Sequence, residues 1–131
     1  MFTVTVDLKD NRKVDANIRE FTIRTDQPLG DGGDNTAPSP FEYFLASLAT
    51  CAGIYIKGFC MRRNIETDDI KLTLTTEYGS DGKMNKIKIA VKVPPEFPEQ
   101  YLNSLISVAE LCAVKKVIQS PPEFEITTEY K

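Results

Sequence analysis

Three cysteines, Cys51, Cys60 and Cys112, are the side chains of this 131-residue chain best suited to covalent chemistry, and histidine is absent. Without histidine there is no Cys-His dyad, no Ser-His-Asp triad and no His-rich zinc site. A reaction here has to be carried by cysteine, arginine, lysine, tyrosine or carboxylates, and no metal or other cofactor is expected. An odd number of cysteines does not make a structural disulfide framework, so each is a redox group or a core residue.

Spacing narrows the pairings. Cys51 and Cys60 are nine residues apart in one helical stretch, on opposite faces and about 13 Å apart along the axis. A disulfide needs Cα atoms within about 7 Å, so these two cannot pair within one straight helix. A redox partner for Cys51 in its own chain therefore has to be Cys112, in "ELCAVKK". Unpaired cysteine also packs as a small hydrophobe, and that plainer role is open to all three. Cys51 lies three turns from the start of its own helix, too far to feel the dipole there, so a thiolate would need an arginine. Arg12, Arg19, Arg24, Arg62 and Arg63 are the candidates.

The elements that must position these residues follow from periodicity. Phe2–Leu8 alternates apolar and polar residues, and Lys13–Ile18 returns after a turn at Asp10-Asn11 as a hairpin, with Phe21–Thr25 as a third strand. Residues 26–40, rich in Gly, Asp and Pro, form a loop. Ser39, Pro40 and Glu42 then spell a capping box that starts a helix running to about Asn64. That helix is apolar nearly all round and should be central and buried. Asp69–Tyr78 and Met84–Val93 form a long hairpin across "GSDGK", a second helix starts near Pro98, Ala113–Gln119 is also helical, and Phe124–Thr128 is a last strand.

The order β-β-β-α-β-β-α-α-β argues for an α+β fold in a single domain, residues 1–131. So few strands can hardly cover a long apolar helix, which predicts an intimate homodimer whose second copy completes the core. Sixteen basic against nineteen acidic side chains leave a net charge of -3, which excludes the basic footprint of a nucleic-acid binder. The uncharged run Tyr43–Ile56 is bounded by Glu42 and Lys57 and falls short of the ~18–20 residues of a membrane span. The N-terminus lacks the pattern of a secretory signal, so a cytoplasmic, membrane-free protein is expected.

The stretches "GGDNTAPSPFEYFLASLATC" and "AELCAVKKVIQSPP", in this order, resemble the OsmC/Ohr family, the osmotically inducible and organic-hydroperoxide-resistance proteins. The resemblance implies an intertwined homodimer with antiparallel sheets wrapped around long central helices. It also implies a cysteine-based peroxidase that reduces small organic hydroperoxides and is regenerated by a dithiol such as dihydrolipoamide. Cys51 matches the peroxidatic cysteine and Cys112 the resolving one, and Arg12 is the best match by order for the arginine that stabilises the thiolate. One departure stands out. The family's active members carry a glutamate ten residues before the cysteine, where this chain has Phe41, and Glu42 falls on the opposite helix face. Weak hydroperoxidase activity is therefore expected. The alternative is a non-catalytic dimer that holds a small hydrophobic or acyl-type ligand at the subunit interface near Phe41, Phe44 and Tyr55.

Overall fold

The computed structural model describes residues 1–131 and divides into two compact units, Met1–Ala46 and Ser47–Lys131. The architecture is α+β with antiparallel sheets, as the sequence predicts.

In the first unit, strands β1 (Thr5–Leu8), β2 (Val14–Ile18) and β3 (Phe21–Thr25) form an antiparallel sheet in the order β1-β2-β3. The register sets Val6 opposite Ala16 opposite Ile23, and Leu8 opposite Val14 opposite Thr25. Cross-strand partners share a face, so these rows make one largely apolar surface. Asn11, at φ 51, turns the chain between β1 and β2, where the Lys13 N–H donates to the Asp10 carbonyl at 3.0 Å.

The loop after β3 is ordered by Asp26. This side chain is fully buried, and its oxygens accept from the N–H groups of Gln27 (2.7 Å), Asp34 (3.4 Å) and Thr36 (3.0 Å) and from the Thr36 hydroxyl (2.6 Å). Its own N–H donates to the Pro38 carbonyl at 3.2 Å, which closes the loop ends on each other. Gly33 is required by close approach, because a Cβ there would stand 2.0 Å from the Gln27 carbonyl oxygen.

Helix α1 spans Pro40–Met61. The predicted capping box is in place: the Ser39 N–H donates to the Glu42 carboxylate at 2.9 Å, and the Glu42 N–H to the Ser39 hydroxyl at 3.3 Å. The helix closes a little before the predicted Asn64. Asn64 takes φ 56, and the Ile65 and Asn64 N–H groups bond back to the carbonyls of Cys60 and Met61, the arrangement that ends helices at a left-handed residue. By length and composition α1 could cross a bilayer, although only a stripe of it, Leu48, Ala52, Ile56, Phe59 and Cys60, is buried in the fold. Phe41, Ile54, Tyr55 and Met61 remain exposed in the single chain.

The second unit adds β4 (Lys71–Tyr78) and β5 (Met84–Lys92), paired antiparallel across a turn that Gly82 enters at φ 79. A 3-10 turn at Glu99–Tyr101 leads into α2 (Leu102–Ala109), and α3 (Ala113–Gln119) follows. Ile56, Phe59 and Cys60 of α1 meet Phe97 and Leu105 in the core, flanked by Ile70 and Leu72 near β4, Val91 of β5 and Val108 of α2. Each such side chain, fully buried, contributes roughly 1.5–3 kcal/mol. Residues 121–131 form no strand, contrary to the expectation for Phe124–Thr128. Phe124 and Ile126 alternate as in a strand but are 83% and 94% exposed and pair with neither sheet.

Candidate active site

Cys51 sits at the middle of α1, and Cys112 stands at the junction of α2 and α3. Both are reduced, Cys51 half-buried and Cys112 buried. Cys112 lies beyond the end of α2; it is the N-cap of α3, and its sulfur accepts the Lys115 N–H at 3.5 Å. Its S–H reaches toward the Leu48 carbonyl of α1 at 4.0 Å. These contacts bring Cys112 to the turn of α1 that carries Cys51.

The Cys51 sulfur is surrounded accordingly. Burial pushes its pKa up, but the neighbouring Val114 amide, Cys112 side chain and Ala113 amide together hold the thiol below its ordinary value. Hydrogen bonds that favour the anion are what turn a thiol into a nucleophile. The donors were invisible in the sequence, where Cys51 could be judged only against the distant start of its own helix. The start of α3, folded onto the middle of α1, supplies what that helix cannot. A signal existed in the placement of Cys112 immediately before the helical "AVKKVIQ", since a residue there caps the helix. Cys60 contrasts with it: burial raises its pKa despite Arg63 and Lys57 nearby, and it packs in the core.

Arg12 belongs to the amino-terminal unit, in the turn between β1 and β2. Its guanidinium lies over Gly32, where a Cβ would come within 3.6 Å of Nε, and Gly32 takes φ 85. Neighbours fasten this turn to the loop. Asn11 Nδ2 donates to the Gly32 carbonyl at 3.0 Å, and Lys13 pairs with Asp34 and, at 3.4 Å, with Asp10. The hydrogen bond from Lys13, aided by Asn11, holds Asp34 below the usual carboxylate range. Phe41 and Phe44, which the sequence marked for a ligand cleft, touch each other with ring centroids 5.5 Å apart.

Beside Cys112 the second unit holds an apolar cavity of about 440 Å³. Leu48 and Ala52 of α1, Ile87, Ile89 and Val91 of β5, and Ile106 of α2 line it, with Glu110 and Lys115 as its charged groups. Alternation along β5 creates that wall by sending every second side chain to one face.

Comparison with known proteins agrees with the fold. The family model described as OsmC-like protein matches residues 32–127. Among solved structures, a protein of Psychrobacter arcticus 273-4 described as an osmotic stress induced and detoxification response protein is 23% identical, over 88% of this chain and 87% of its own, with a TM-score of 0.75. An OsmC like protein from Mycoplasma pneumoniae is 16% identical over 92% and 89%, with a TM-score of 0.72. The organic hydroperoxide resistance protein OhrB of Bacillus subtilis is 22% identical over 92% of both chains, with a TM-score of 0.55. A search of curated proteins finds no match.

Proposed function

Because the chain belongs to the OsmC-like protein family, we propose that it acts as a single OsmC-like domain, residues 1–131, and a thiol-dependent reductase of small organic hydroperoxides. Cys51 attacks the peroxide as a thiolate, releases an alcohol and becomes a sulfenic acid. Cys112 condenses with that acid, releasing water and leaving a Cys51–Cys112 disulfide that a dithiol such as dihydrolipoamide reduces. The observation that carries this reading is the placement of Cys112, whose S–H reaches toward the Leu48 carbonyl, at the turn of α1 that carries Cys51, a thiol held below its ordinary pKa. The organic group of the peroxide occupies the apolar cavity that Cys112 lines.

Arg12 assists the thiolate in this reading, and the absence of the family's glutamate, with Phe41 in its place, keeps turnover slow. The working form is a cytoplasmic homodimer. Support for the dimer comes from the exposed apolar side chains Val6 and Leu8 of β1 and Ile54 and Met61 of α1. Turnover of cumene hydroperoxide with a dithiol is the test: the wild type should consume it and Cys51→Ser should not, and equal rates would overturn the proposal. Arg12→Ala should slow the reaction and raise the pH at which Cys51 ionises.

The same cavity favours a second reading, in which a small hydrophobic or acyl-type ligand is held without turnover. Stoichiometric binding of a fatty acid by Cys51→Ser, together with no peroxide consumption by the wild type, would select it.

A further inference from the structure

Helix α3 is seven residues long and has no buried residue. A helix this short is unstable without outside support, and the orphan N–H groups of its first turn are where support is needed. One sulfur supplies it. Cys112, the N-cap, receives the N–H of Lys115 at 3.5 Å, and its own S–H reaches toward the Leu48 carbonyl of α1 at 4.0 Å. The next N–H, of Lys116, already finds the Cys112 carbonyl at 3.2 Å. The Cys112 side chain is thus both the cap of α3 and its contact with α1.

We propose that Cys112 works as a redox-operated cap: the thiol caps α3 against α1, and the disulfide with Cys51, though it ties Cys112 to α1, leaves the helix uncapped. This rests on the reading that Cys51 and Cys112 form a disulfide. A hydroperoxide takes two electrons from the pair and leaves as an alcohol and water, while both sulfurs lose their protons and gain the S–S bond. In the disulfide the Cys112 sulfur has no S–H left to reach the Leu48 carbonyl, and the new bond draws it toward Cys51 and off the Lys115 N–H. With no buried side chain to anchor it, α3 loosens.

The consequence reaches the cavity, because Lys115, Ile118 and Gln119 of α3 form part of its wall. Cys112 is only 3% exposed while reduced, closed to a bulky dithiol. Release of α3 opens that wall in the oxidised form, so the disulfide becomes accessible when it has to be reduced.

Hydrogen exchange of the full-length protein tests this, with the disulfide made by diamide so that peroxide turnover is not required. Oxidation should speed exchange of the amides of residues 115–120 about fivefold, the size of a lost helix cap, and leave those of Ala52–Cys60 unchanged. In the reduced state Cys112→Ala should exchange as fast as the oxidised protein, while Cys112→Ser, whose hydroxyl caps, should stay slow. Unchanged protection across a disulfide verified by mass, or a Cys112→Ala protein as slow as wild type, would overturn the cap. Peroxide turnover with unchanged protection sinks the cap alone. If neither diamide nor peroxide yields the disulfide, the cap and the peroxidase reading both fail.

Discussion

Ser39 and Glu42 hold each other across the start of α1, each backbone N–H donating to the other's side chain, at 2.9 and 3.3 Å. Two orphan donors are satisfied, and the Ser39 backbone and side chain together keep the Glu42 carboxyl below its ordinary range. Glu42 is therefore engaged in folding. Ser39→Ala should cost about 1 kcal/mol of stability, seen as a lower urea midpoint at unchanged slope. Neither Ser39→Ala nor Glu42→Gln should move the ionisation of Cys51.

The thiols should differ sharply in reactivity. Cys51 ionises below an ordinary thiol because amide and thiol donors outweigh its burial, and Cys60 ionises above one because burial dominates. Iodoacetamide should modify Cys51 first, with a rate whose pH midpoint lies below that of a model thiol. Cys112→Ala removes one donor and should raise that midpoint. Cys60 should react only once the protein is unfolded.

The Asp26 loop gives the protein a sensitivity to acid. The Thr36 hydroxyl and N–H, with the N–H groups of Gln27 and Asp34, depress its pKa far below the ordinary carboxylate value, against the opposing effect of burial. In the window between the folded and unfolded pKa the unfolded chain binds more protons, so stability rises with pH. The contribution is complete above about pH 4 and declines as the pH falls further below it. Asp26→Asn should flatten this acid limb in thermal melts taken at a series of pH values, and should lower stability at pH 7.

Two glycines of the same loop separate close approach from mere flexibility. A Cβ on Gly33 collides with the Gln27 backbone, while one on Gly30 meets nothing within 4 Å. Gly33→Ala should cost about 1–3 kcal/mol as the loop shifts to relieve the overlap. Gly30→Ala should stay within about 0.5 kcal/mol of wild type, which chemical denaturation can resolve.

Local signals were the legible part of the sequence. Alternation located β1 to β5, and Ser39, Pro40 and Glu42 fixed the start of α1, because strand pleats and helix caps are decided within a few residues. Features decided by tertiary contact were not legible. Nothing in the order of residues says that the first turn of α3 lies on Cys51, and none of the acidic residues between 26 and 34 announces itself as the hub of the loop. Phe124–Thr128 shows the limit from the other side: its alternation is plain, but a strand also requires pairing with an edge, and alternation does not say whether the segment reaches one.

Unpartnered apolar surface leads to the last prediction. Val6 and Leu8 project from β1 into solvent, as do Ile54 and Met61 from α1 and Phe124 and Ile126 from the C-terminal segment. Large apolar side chains left in solvent are the material of association sites in soluble proteins. Sedimentation of dilute protein should give a particle of twice the 14.7 kDa chain mass. Val6→Lys discriminates the causes, because at an exposed site in an isolated chain a lysine changes stability by no more than about 0.5 kcal/mol. Across a dry interface the same ammonium loses its water and finds no partner. The variant should therefore sediment as a single chain with a lower melting temperature, and a wild-type protein that is already a stable monomer would leave Val6→Lys without effect and the homodimer without support.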